Sequence, residues 1–538
     1  MTRTLTRRTS TVVLVAALAL TGTVTGCSQD SHEGVLTIGT TDKVTGLDPA
    51  GSYDNGSFTV MNQVYPFLVN TPYGSPDPEP DIATSAQLTS PTEYTVTLKP
   101  GLTFANGHAL TASDVKFSFD RQLAIKDPDG PAALLSNLDR TEVVNDTTVV
   151  FHLKTPNDQT FAQVLASPAG PIVDEEVFSP DSVTPDSTIV SGKPFAGPYT
   201  ITSFSLNQQI SYQANPAYQG LLGAPRTDKV NVSYYARSSS LKRDVQQGHV
   251  NVAYRSLSPS DIADLRKDEN VKVVEAPGGE IRYLVFNLNT QPYGATTDEA
   301  DPAKALAVRQ AVAHLIDREA LSEQVYKGTF TPLYSYVPSG LTGATTPLED
   351  LYGDDSGGPS VERAAQVLSD AGVTTPVTLD LQYSTDHYGP STSDEYALIK
   401  KQLEAGGLFR VKLQDTEWTQ YTEDRISDRY PAYQLGWFPD YSDADNYLTP
   451  FFLIDNFLAN HFQDPAVDDE IVAQRSTTDP EARVAALEKI QADVAAELPT
   501  LPYLQGVQTA VTGTNVTGTE RTLDASSRFR YGALALTE

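Results

Sequence analysis

The sequence has 538 residues, 39% of them hydrophobic, with 26 tyrosines and 19 phenylalanines, which is too much apolar material for a disordered chain. Its formal net charge is −30; residues 1–26 hold three arginines and no acid, so the chain from residue 27 onward stands near −33. A surface of that sign repels polynucleotides and anionic headgroups, which argues against a nucleic-acid partner, while the length allows two or three domains.

At the amino terminus Arg3, Arg7 and Arg8 precede an apolar run, Thr11 to Leu20, too short to span a bilayer. Val24-Thr25-Gly26-Cys27 follows, and it resembles the lipobox of bacterial lipoproteins. On that reading residues 1–26 are a signal peptide and Cys27 carries the lipid; the competing reading is a secreted protein with a stray cysteine. Two or more acyl chains anchor stably where one does not. Arg7-Arg8 lacks an apolar pair in the next two positions, so the general secretory and twin-arginine routes both stay open. Cys27 is the only cysteine, so no disulfide forms within the mature chain. No later apolar run reaches the ~20 residues a membrane span needs.

Residues 27–34 are read as a polar tether to a first strand at Val35 to Gly39. Alternation predicts further strands at Tyr94, Val96 and Leu98, at Val149, Phe151 and Leu153, from Ile201, and at Tyr283, Val285 and Asn287. Thr111-Ala-Ser-Asp114 starts a helix with Val115 and Phe119 inward. A second helix carries Val308, Val312, Leu315 and Ile316, and a third begins near Ser360 and is closed by Gly372. Asp479-Pro480 opens a fourth with Val484, Leu487, Val494 and Leu498 inward. Thr71–Pro80, Asp127–Pro131, Pro185–Pro198 and Ser356–Pro359 read as loops, and Pro277-Gly278-Gly279 as a turn. Strands and helices interleave throughout, which makes the chain α/β.

Catalytic and metal signatures are missing. The histidines His32, His108, His152, His249, His314, His387 and His461 have no helix-face metal spacing, and His314 sits in an apolar stripe as a structural residue. No nucleophile elbow, Walker loop or dinucleotide fingerprint follows a strand, so an enzyme, and with it a cofactor or metal, has no positive support. The distinctive stretch runs from Trp418 to Tyr447. It holds both tryptophans, the second in Gly436-Trp437-Phe438-Pro439-Asp440-Tyr441-Ser442-Asp443. Aromatic walls around one carboxylate suit an apolar ligand with a cationic end; core tryptophans beside an acidic turn would give the same pattern.

At this cluster the chain resembles family 5 of the bacterial extracellular solute-binding proteins, the oligopeptide- and dipeptide-binding group. Tyr94 to Val115, with Phe104-Ala-Asn-Gly107 and Thr111-Ala-Ser-Asp114, matches the family's signature segment. Gly197-Pro198-Tyr199, Leu284-Val-Phe-Asn-Leu-Asn289, Val308-Arg309-Gln310-Ala311 and Ile316-Asp317-Arg318 follow in family order. Tyr65-Pro66-Phe67-Leu68 departs from the usual Tyr-Glu-Gly-Leu in what the resemblance makes a cleft-facing loop.

The resemblance implies a two-lobe fold of the periplasmic-binding-protein type II class, with hinge crossovers near Phe286–Asn289 and Leu501–Gln505. Lobe I would comprise 35–49, 191–288 and 506–538, with an extra subdomain at 50–190, and lobe II 289–505. It further implies an ABC importer's binding component: a monomer, lipid-anchored outside the cytoplasmic membrane, that hands short peptides to a permease. Asp440 would hold the ligand's ammonium, with Trp437, Trp418, Phe438 and Tyr441 as walls and Arg425 as a cleft cation; the second expected arginine is replaced by Gln434. Nickel complexes, oligosaccharides, opines, haem or a peptide signal are the alternative ligands of such a fold, and a secreted hydrolase is the rival from another class.

Overall fold

A computed structural model describes residues 34–537 apart from Ser256 and Asp455; Cys27 and the expected signal peptide at 1–26 lie outside the described residues. The first strand, Val35–Thr40, buries Leu36 and Ile38. The expected strands at 94–98 and 149–153 are Glu93–Leu98 and Thr148–Leu153, and each buries every second residue. They pair antiparallel at the centre of a four-stranded sheet edged by Ala83–Ser90 and Leu138–Asn145. Helix Ala112–Ile125 packs on this sheet. Asp114 starts it by accepting the Thr111 amide hydrogen at 2.9 Å, and Val115 and Phe119 are fully buried.

The main sheet has eleven strands. From one edge the order is Phe409–Thr416, Val377–Ser384, Ala432–Trp437, Val271–Phe286, Thr500–Gly513, Val252–Tyr254, Val35–Thr40, Lys229–Tyr234, Gln209–Ala214 and Tyr199–Ser205, with Phe330–Pro332 added beside Thr500–Gly513. The 271–286 and 500–513 strands run antiparallel along most of their lengths. Ile281–Phe286 also pairs with the 432–437 strand, and Ala510–Thr512 pairs with Val252–Tyr254. These two strands therefore tie one half of the sheet to the other.

Pro277-Gly278-Gly279 is not a turn. It is a register slip inside the sixteen-residue strand Val271–Phe286, between Pro277 and Ile281. A slip frees a strand to bend, and here it lets other chain segments approach closely. A Cβ on Gly279 would lie 2.7 Å from Pro439 Cγ and 2.8 Å from the Ala525 carbonyl oxygen. The alternation read at 283–287 also has a different meaning. Tyr283, Leu284, Val285 and Phe286 are all buried, because this strand is covered on both faces.

The other departures are local. Pro185–Pro198 contains the helix Asp186–Gly192, pinned by the fully buried Ile189 and ended by Lys193 in the left-handed region at φ 49°. Ile316 and Leu498 lie just past their helices, Pro302–Leu315 and Pro480–Glu497, yet both stay buried, while Val484 is only half-buried. Gly372, at φ 66°, follows helix Val361–Asp370 as expected.

Apolar side chains gather in separate clusters. The largest draws on Ile281 to Leu504 with Ala525. A second joins Leu36–Tyr65, Val173–Tyr254 and Ala510–Leu534. A third lies within Leu68–Ala196, and a small fourth joins Leu241–Val271 to Val511. The 271–286 and 500–513 strands each feed more than one cluster. No described helix is long and apolar enough to cross a membrane.

Candidate functional site

The site is built on the end of a central strand. Ala432–Trp437 pairs with Ile281–Phe286 and then releases Phe438–Asp443, a loop fixed at both ends. At the far end Arg483, on helix Pro480–Glu497, grips Asp443 with two hydrogen bonds of 2.9 and 2.7 Å. At the near end the buried Asn446 organises the loop. Its Oδ1 accepts from the indole Nε1 of Trp437 at 3.0 Å and from the amide of Asp440 at 2.9 Å. Its Nδ2 donates to Oδ2 of Asp440 at 3.2 Å. The other carboxylate oxygen of Asp440 accepts the hydroxyl hydrogen of Tyr53.

Asp440, Phe438 and Tyr441 line a cavity of about 230 Å³, together with Tyr53, Phe58 and Arg255. A second cavity of about 230 Å³ shares Arg255 and Phe438 with the first and adds Glu280, Arg282, Phe330 and Tyr388. The Arg255 guanidinium lies over the Phe438 ring at 5.1 Å where the two cavities meet. Burial raises the Asp440 carboxyl above its ordinary value, and the hydrogen bonds from Tyr53 and Asn446 pull partly against it. Among the described residues no lysine or arginine pairs with Asp440 within 4 Å. A carboxylate withdrawn from water without a cation is costly, so the cavity favours a ligand that brings one. Arg282 spends one nitrogen within the protein: its Nη2 donates to the Tyr388 carbonyl at 3.1 Å and pairs with Glu280 at 2.8 Å, while its Nε and Nη1 are buried without a hydrogen-bond partner among the described residues. Among the described residues no group of three or more His, Cys, Asp or Glu is placed to hold a metal.

Comparison with known proteins bears on this site. Residues 77–457 match the family described as bacterial extracellular solute-binding proteins, family 5 Middle. The chain belongs to that family. The dipeptide-binding protein of Escherichia coli K12 is 24% identical over 465 residues, 81% of this chain and 80% of its own length. Haem-binding protein A of Haemophilus influenzae is 26% identical over 556 residues, 96% of each. Among solved structures, HbpA2 of Haemophilus parasuis superposes with a TM-score of 0.79 at 21% identity, covering 94% of this chain and 100% of that one. The mixed α/β architecture is thus the type II periplasmic-binding-protein fold of family 5, and the relatives carry the names of binding proteins rather than enzymes.

Within this family 5 chain, the residues singled out from sequence separate into two groups. Asp440, Phe438 and Tyr441 face the cavity. Trp437, Trp418 and Arg425 line neither cavity. Trp437 packs edge-on to Phe451 at 5.1 Å and braces Asn446, so it acts on Asp440 through that amide. Trp418 stacks flat on His387 at 3.6 Å, behind Tyr388. Arg425 is buried under Phe457 and gives Nη1 to the carbonyls of Phe457 and Leu458 at 3.1 and 3.2 Å. The expected cleft-facing loop at Tyr65–Leu68 is interior instead: Tyr65, Phe67 and Leu68 are at most 1% exposed, and Tyr65 donates to the Leu47 carbonyl at 2.9 Å. Gln434 is buried and donates to Glu395 at 3.2 Å. His314 is structural, its Nδ1 accepting from the Gly353 amide at 2.9 Å. Sequence reasoning missed Tyr53, Asn446 and Arg255. Only Asn446, six residues after Asp440 in the same cluster, lay within reach of it.

Proposed function

We propose that this chain is the lipid-anchored, extracytoplasmic binding component of an ABC importer, and that it captures short peptides and delivers them to a membrane permease. The observation that carries this reading is Asp440: a half-buried carboxylate, walled by Phe438 and Tyr441, held by Tyr53 and Asn446, with no cationic partner in the described protein. A peptide's terminal ammonium supplies the missing charge, whereas a neutral sugar does not. A relative named for dipeptide binding supports the choice.

Capture proceeds by hinge closure of two lobes about the 271–286 and 500–513 strands, with lobe I at 35–49, 191–288 and 506–538, its subdomain at 50–190, and lobe II at 289–505. The separate apolar clusters support a split between the two lobes, whereas Val60–Tyr65 and Val173–Ile189, within 50–190, pack with lobe I. Tyr53–Asp440, Arg255–Phe438 and the 3.1 Å bond from Gln163 to the Ser442 carbonyl would be contacts across the closing cleft. The protein works as a monomer held at the outer face of the membrane by lipid on Cys27, with no cofactor.

Mass spectrometry of whatever is released when the purified protein is denatured tests the reading. It should find short peptides with free amino termini. Recovery of a haem, a nickel complex, an opine or a sugar would overturn it.

A further inference from the structure

Peptides carry a second pole, and the family's cleft arginine is no help here, since Arg425 is buried away from both cavities and Gln434 stands where a second was expected. Three other arginines border the cavities. Arg528 is 3% exposed and spends its Nη atoms on Asn70, at 3.0 Å, and on the Ala166 carbonyl. Arg282 is 5% exposed, paired with Glu280 through Nη2 and packed on Phe330 and Tyr388 at 5.2 and 4.7 Å, and its unpartnered Nε and Nη1 are sealed inside the protein. His387 is no substitute, because it lines neither cavity, and burial and the nearby Arg282 lower its pKa.

Arg255 is different. It lines both cavities, and among the described residues none accepts a hydrogen bond from its guanidinium. Its contacts are the ring of Phe438 and an Asp42 carboxylate oxygen 3.9 Å from Nε, too far for a hydrogen bond. A guanidinium is always charged and presents a planar fork that matches a carboxylate. The backbone adds an independent sign. Arg255 follows directly on strand Val252–Tyr254 and has φ 60°, a left-handed conformation that non-glycine residues adopt rarely and at a cost, and which clusters at ligand clamps.

We propose that Arg255 is the docking cation for the ligand's carboxylate, forming with Asp440 the two poles of a site for a short zwitterionic peptide. The carboxylate takes the N–H groups that the guanidinium leaves uncommitted. Phe438 holds the guanidinium from below and marks the boundary where the peptide's last residue passes toward the second cavity. Both poles border one cavity of about 230 Å³, so the site favours peptides short enough to reach both, and an amine without a carboxylate binds weakly. The proposal rests on the peptide reading given above.

Calorimetric titration tests it with a panel of dipeptides and their C-terminal amides, Ala-Phe and Ala-Phe amide among them, on the full chain and on Arg255→Gln and Arg255→Lys. Thermal melting first establishes that each variant is folded. For dipeptides that bind, amidation should weaken the wild type about tenfold or more and the Gln variant much less, since the two changes delete one interaction. Arg255→Lys should recover part of the loss. Equal losses on amidation in the wild type and Arg255→Gln would overturn the role of Arg255 while leaving the peptide reading intact. A wild type that binds none of the panel would overturn both.

Discussion

Tyr53 donates its hydroxyl hydrogen to the carboxylate of Asp440, joining residues 387 positions apart in the chain. Asp440 is thereby held from two directions, by Tyr53 on one oxygen and by Asn446 on the other. Both bonds favour the ionised carboxylate, whereas burial disfavours it and dominates, so its pKa lies above the ordinary value.

That balance sets the pH dependence of binding. An ammonium ligand pairs with ionised Asp440 only, so affinity should be full above the raised pKa and fall as the pH is lowered through it. Removing the Tyr53 bond takes away one influence that lowers the pKa. Tyr53→Phe should therefore shift the acid limb of the affinity profile to higher pH, and Asp440→Asn should flatten that limb. Dissociation constants for one dipeptide, measured by calorimetry across the acid range, check both expectations. A limb that stays put in Tyr53→Phe would mean the hydroxyl does not touch the carboxylate in solution.

Gly279 ties the strand slip to the site. Its missing side chain leaves room for Pro439, the residue before Asp440, and Tyr447 donates to its carbonyl at 2.6 Å. Gly279→Ala should cost about 1–3 kcal/mol in urea unfolding, as overpacked interiors do, and should weaken peptide binding by displacing the loop. Unchanged stability and affinity would show that Pro439 moves aside freely.

Much of the framework was legible in sequence because its signals are local. The capping box at Thr111–Asp114, the alternating strands at 94–98 and 149–153, and the stop at Gly372 each depend on neighbours a few residues away. Two features were misread for the opposite reason. Gly278 and Gly279 look like a turn, and only pairing with a distant strand makes them a slip. Tyr283, Val285 and Asn287 read as one face of an alternating strand, yet Tyr283–Phe286 is an unbroken apolar run buried on both faces. At the site, the cluster at 436–443 was visible, but its partners Tyr53 and Arg255 come from far along the chain and carry no motif. The tryptophans drew attention by their rarity, and their role as braces depends on Asn446 and His387.

The anchor is tested separately. Cys27→Ala should release the protein from the membrane fraction or leave an uncleaved precursor, with loss of metabolic labelling by palmitate. Membrane retention and labelling equal to the wild type would rule out lipid attachment at Cys27.

The central claim is that Asp440 meets a peptide's ammonium, and a double-mutant cycle measures that contact most directly. The wild type and Asp440→Asn are each titrated calorimetrically with one dipeptide and its N-acetyl derivative. Losing one partner of a desolvated charge pair costs about 2–5 kcal/mol, so Asp440→Asn should weaken binding by roughly thirtyfold or more. Acetylation should cost the wild type a similar amount and the variant far less, because the charge it removes no longer has a partner. Equal, additive losses in the two proteins would contradict the account.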